Sequence, residues 1–187
     1  MYYLANLNKG KIKILTVFLL TLITFVGIGV AFLYYGFSHT SFDSLFIAIL
    51  LVVSSIPSIL LYFLLNSYKS PRKMPYVVLS VSLFTCGLVF IIAPEISLDH
   101  ASLLWGILDI LISAFIIIDA FVEIKDNKIK ISEMIIGAIN LVFGVLLCIH
   151  LGEGVSTHLI VMGFIYIVKA IRSIFELVLA LKQLKKN

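Results

Sequence analysis

Six long apolar stretches constrain this chain more than any other feature. They run over Ile14–Tyr35, Ser44–Asn66, Pro75–Ala93, Ala101–Glu123, Glu133–His150 and Thr157–Leu181. Each is close to the roughly 20 residues that an α-helix needs to cross a bilayer. In hydrocarbon the backbone N–H and C=O groups must bond within the chain, so each stretch reads as a helix. Spanning strands would be about ten residues long with alternating polarity, a pattern these stretches do not show. Composition agrees: 61% of the 187 residues are hydrophobic, 13% are charged, and the mean hydropathy is +1.17. A water-soluble domain of this size needs a polar exterior that such a chain cannot supply. The expected fold is all-α and integral to the membrane, with six transmembrane helices in one domain over residues 1–187.

Charge sets the orientation. Lys9, Lys11 and Lys13 precede the first stretch, and Lys69, Arg72 and Lys73 lie between the second and third. Lys125, Lys128 and Lys130 lie between the fourth and fifth, and Lys182, Lys185 and Lys186 close the chain. These are 12 of the 14 Lys and Arg, and the other three connections carry none. By the positive-inside rule both ends face the cytoplasm, and the alternation requires an even number of spans. The expected location is the plasma membrane, with the lipid bilayer as the first partner. Short basic groups beside apolar runs are orientation signals, so the net charge of +4 does not point to nucleic acid. The first stretch is too long for a signal-peptide core and is read as a retained span. Cys86 and Cys148 both fall in apolar runs and read as small apolar residues.

An internal repeat organises the six spans. Gly29, Gly87 and Gly144 are 58 and 57 residues apart, and nineteen residues after each comes Ala48, Gly106 or Gly163. The chain therefore divides into three parallel-repeat helical hairpins, 14–66, 75–123 and 133–181, with a small residue inside each helix. Small residues at matched depth let helices approach closely. Pro57 breaks the second span's hydrogen-bond ladder, and Ser54, Ser55 and Ser58 beside it can serve the freed carbonyls.

The hairpin pattern resembles the HdeD-like family of small bacterial and archaeal membrane proteins. The resemblance rests on the size, the six spans and three segments. Cys86–Leu98 (CGLVFIIAPEISL) has a glycine, an apolar run and a proline at the outer turn. Trp105–Phe115 (WGILDILISAF) is the second segment. Met162–Ala180 (MGFIYIVKAIRSIFELVLA) has an opening glycine and a basic residue towards its end. The first hairpin departs from the pattern, having no proline at the position of Pro94. The resemblance implies a membrane protein of acid or envelope stress, and it brings no catalytic residues with it.

Charges inside spans are costly, roughly 2.5–3.5 kcal/mol each at a helix centre, so they mark candidate sites. Here they fall on the fourth and sixth spans: Asp109, Asp119 and Glu123, then Lys169, Arg172 and Glu176. Depth arithmetic at about 1.5 Å per residue lets Lys169 reach Asp109, while Arg172 and Glu176 are spaced to pair along one helix face. The cluster of Asp109, Asp119, Lys169, Arg172 and Glu176 has two readings. One is an interhelical clamp between the second and third hairpins. The other is a proton or ion relay, or a polar solute site, in a small transporter or channel.

A second constellation lies at the outer turns: His39, His100, His150 and His158, with Asp43, Glu95, Asp99 and Glu153. Imidazole titrates near neutrality, so acidification would turn this face from net negative to net positive. Metal binding is not expected, because the histidines lack H-x-H or H-E-x-x-H spacing. The chain has no nucleotide-binding loop, nucleophile elbow or CxxC motif, and its connections are too short for a soluble catalytic domain. A non-enzymatic protein without a cofactor is expected, acting through homo-oligomers or membrane partners.

Overall fold

A computed structural model describes residues 2–38, 44–67, 74–93, 98–124, 126–149 and 155–186. Its six helices are α1 (Tyr2–Ser38), α2 (Ser44–Ser67), α3 (Met74–Ile92), α4 (Leu98–Glu123), α5 (Asn127–Ile149) and α6 (Val155–Lys186). Each contains a stretch long and apolar enough to cross a membrane. The helices outrun the apolar stretches. α1 takes in Lys9, Lys11 and Lys13, α5 takes in Lys128 and Lys130, and α6 takes in Lys182, Lys185 and Lys186. The reason is physical. A change from apolar to basic side chains alters the preferred solvent, whereas the backbone continues until its hydrogen bonds find another partner. At α5 that partner is Asp126, whose carboxylate accepts from Lys128 N–H at 2.9 Å and caps the helix.

Successive helices run in opposite directions, so Tyr2 of α1 and Lys186 of α6 lie at the same end of the bundle, called here the terminal end. The most extensive packing is α1 on α6, α2 on α3 and α4 on α5. It falls between the hairpins of the sequence repeat, not within them. The small residues make these contacts. An ideal Cβ on Gly106 would lie 2.7 Å from the Gly144 carbonyl oxygen, and one on Gly144 would lie 3.0 Å from that of Gly106. Gly29 and Gly163 face each other in the same way, and Gly87 faces the Ala48 carbonyl. Each small residue early in a hairpin thus meets the late one of the neighbouring hairpin. The Gly29–Gly163 contact brings the first helix to the last and closes the set into a ring.

Corresponding positions of the repeat are buried together. Phe32, Phe90 and Leu147, three residues after the early glycines, are all buried. So are Phe25, Leu83 and Asn140, four residues before them, and Leu51, Asp109 and Tyr166, three residues after the late small residues. Within α2, Ser54 and Ser55 hydroxyls donate to the carbonyls of Leu51 and Val52, and Ser58 donates to that of Ser54. Ser80 of α3 donates to the Ser55 carbonyl at 2.9 Å and ties the two helices beside Pro57. These acceptors flank the Val53 carbonyl, the one that Pro57 leaves without its N–H donor.

Candidate functional site: a charged centre inside the helix ring

Two ion pairs lie inside the bundle among the described residues. Lys169 Nζ of α6 donates to Asp109 Oδ1 of α4 at 2.5 Å. One turn further along α6, Arg172 Nε donates to Glu133 Oε2 of α5 at 3.0 Å. All four residues are at most 5% exposed. Their backbones are fixed by the same local device used in α2: Ser113 donates to the Asp109 carbonyl and Ser173 to that of Lys169. The cations also sit over aromatic rings, Lys169 Nζ at 5.7 Å from the Tyr166 centroid and Arg172 Cζ at 5.4 Å from that of Tyr76. Such contacts add attraction where water is excluded.

The helices assign each pair a depth. Asp109 and Lys169 lie near the middle of α4 and α6. Arg172, Glu133 and Tyr76 lie towards the terminal end. A cavity of about 10 Å³ lies beside the cations, lined by Phe25, Tyr76, Ile112 and Ile116 among others. It has room for about one water. On the other side of the charges Tyr166 packs against Phe25, Phe32 and Trp105, with ring centroids 6.0, 5.7 and 5.8 Å away. The interior is therefore polarised along its axis. Thr21, Ser54, Ser58, Ser80, Ser113 and Ser173 are buried on the terminal side or beside the charges. The half beyond Tyr166 is mostly aromatic and aliphatic, with Ser102 and His158 its buried polar residues among those described.

The sequence-derived cluster is thus partly assembled. Asp109 meets Lys169. Arg172 meets Glu133, which stands at the border of the fifth apolar stretch and is not part of the sequence-derived cluster. Asn140 is a second buried polar residue outside that cluster. It is fully buried on the α5 stripe formed by Glu133, Ile136, Gly137, Asn140, Gly144 and Leu147. That three-and-four spacing was the available signal, obscured because KDNKIKIS reads as a loop. Asp119 is half-buried lower on α4. Glu176 lies on α6, and its side chain is outside those described.

The histidines do not form one described surface. His100 is exposed in the first turn of α4, whereas His158 is 1% exposed in the first turn of α6. Asp99 lies on α4, its side chain outside those described. His39, Asp43, Glu95, His150 and Glu153 lie outside the described residues. Among the described residues no three His, Cys, Asp or Glu side chains are placed to hold a metal ion.

Charges inside and apolar residues outside invert the arrangement of a water-soluble protein. Ile23, Phe121, Val122 and Ile149 are each more than 60% exposed, while Asp109, Glu133, Lys169 and Arg172 are buried. With six helices of spanning length, this defines the class of small polytopic membrane proteins. Residues 78–149 match the family described as a short repeat of unknown function, DUF308. The matched segment runs from α3 through α5 and includes the Gly106–Gly144 contact. No curated protein and no solved structure gives a significant match.

Proposed function

We propose that the chain spans the plasma membrane six times as three parallel hairpins, with both termini cytoplasmic, and acts without a catalytic site or cofactor in envelope or acid-stress tolerance. The DUF308 repeat is the family associated with HdeD-like membrane proteins, in keeping with the resemblance drawn from the sequence. The observation that carries the reading is the pairing of the charges. Each buried cation is met by a carboxylate on a neighbouring helix, so the centre is neutralised internally and docks α6 on both α4 and α5. On this reading the Lys169–Asp109 pair is a clamp that fixes the third hairpin against the second, and the Arg172–Glu133 pair braces the two helices of the third hairpin against each other. The protein then acts through homo-oligomers or membrane partners.

A second reading, a small proton-coupled transporter or channel, is favoured by the gathering of buried polar side chains towards one end of the ring. Reconstitution separates the two. In liposomes carrying a pH gradient, the clamp reading expects no protein-dependent flux, and Asp109→Ala or Lys169→Ala should impair folding. A flux that disappears in folded variants would overturn the clamp and establish transport. For the stress role, replacing His39, His100, His150 and His158 with glutamine should change survival or oligomeric state across roughly pH 4–8, the range that brackets imidazole titration. An unchanged response would remove the histidines from the explanation.

A further inference from the structure

Asn140 has no packing reason to be polar. The corresponding residues of the other hairpins are Phe25 and Leu83, both buried. The ring therefore accepts an apolar side chain at this position, and Leu has nearly the shape of Asn. Yet Asn140 is 0% exposed, and neither its Oδ1 nor its Nδ2 has a hydrogen-bonding partner among the described residues. Asp109 presents a matching case. Its counterparts Leu51 and Tyr166 carry no charge, Lys169 occupies its Oδ1, and its Oδ2 is buried without a partner. Buried amides and carboxylates in folded proteins are almost always satisfied, by protein or by ordered water.

Helix packing brings the two groups to neighbouring turns of one interface. Gly144, one turn from Asn140, rests on Gly106 and Ile110 of α4. Gly137, one turn the other way, rests on Ile116 and Ile117. Asn140 therefore lies beside the stretch of α4 between these contacts, about one turn further along α4 than Asp109. The amide needs one donor and one acceptor, and Asp109 Oδ2 needs a donor. Water supplies both kinds. A metal ion is a poorer occupant, because the Lys169 ammonium already stands on the same carboxylate and would repel it.

We propose that the Asn140 amide and the free oxygen of Asp109 form a buried water-binding site at the centre of the helix ring. The site is independent of whether anything crosses the membrane. It makes Asp109 a carboxylate held on one oxygen by an ammonium and on the other by solvent.

The full-length protein, labelled with ¹⁵N-asparagine in lipid nanodiscs, tests this directly. The Asn140 side-chain signal is identified by its loss in Asn140→Leu, or through the unique Ile139–Asn140 step if that variant does not fold. Magnetisation transfer from water to the Asn140 amide is expected, and its absence would overturn the site. Thermal unfolding gives a second readout. Asn140→Leu should lower the midpoint by about 3 °C or more in the parent, a shift within reach of one lost buried interaction. It should have little effect once Asp109→Leu is present. A rise in the midpoint in the parent would mean that the amide was dry and simply unsatisfied, and would also overturn the proposal.

Discussion

Removing Lys169 alone should damage the protein more than removing Lys169 and Asp109 together. At 2.5 Å and an effective dielectric constant of about 20, the pair attracts by about 7 kcal/mol. Taking each ion out of water costs several kcal/mol, so the intact pair adds little net stability. A single substitution removes the attraction and leaves the other ion's desolvation in place. Lys169→Met and Asp109→Leu should therefore each cost about 3–5 kcal/mol. The double variant should return to within about 1.5 kcal/mol of the parent, since the residues are close enough to couple strongly. The repeat supplies the reason to expect this recovery: Leu51 and Ile112 already occupy the corresponding positions in other hairpins and are buried there. The chain's single tryptophan, Trp105, packs on Tyr166 next to Lys169 and reports unfolding by fluorescence during denaturant titration in mixed micelles. Two small, additive single effects, each below about 1 kcal/mol, would refute the view that the pair is buried and desolvated.

Other perturbations follow from the same geometry. Arg172→Lys should cost about 1–3 kcal/mol in the same titration, because an ammonium cannot reproduce both the Nε bond to Glu133 and the stacking on Tyr76. Gly106→Ala should cost about 1–3 kcal/mol, as its methyl group would sit 2.7 Å from the Gly144 carbonyl and the Cys148 sulfur. Gly27→Ala, with nothing within 4 Å, should be neutral or gain up to about 1 kcal/mol. Ser80→Ala should lose about 1 kcal/mol with the hydrogen bond to the Ser55 carbonyl.

The features legible in the sequence were those set by solvent. Bilayer thickness imposes a length on apolar runs, so the number of spanning-length helices could be counted. Depth along a helix is linear in residue number, so Asp109 and Lys169 could be placed at reachable heights. What sequence distance could not supply was which helices touch. The matched small residues of the repeat mark close approach, and the nearest partner along the chain is the natural guess. The observed partners are instead in adjacent hairpins: Ala48 with Gly87, Gly106 with Gly144, and Gly163 with Gly29. Arg172 illustrates the same gap. Glu176 lies one turn away on its own helix, whereas Glu133 is 39 residues back in sequence and directly across the interface. The outer turns were the least legible. His158 is polar and close to a connection, yet α6 turns it inward.

The contact between Gly29 and Gly163 carries a consequence for biosynthesis. α1 is made first, but its most extensive partner, α6, is made last. Until α6 arrives, Gly29 and the face around it have only lipid, α2 or some other membrane component to lie against. Closure of the ring is then a late event with a large loop to close, while the α2–α3 and α4–α5 contacts can form as soon as each pair is inserted. The start of α1 and the end of α6 lie at the same end of the bundle. A circular permutant that joins them and opens the short connection between α4 and α5 would keep the same helix contacts. It would also turn the slowest contact to form into a local one.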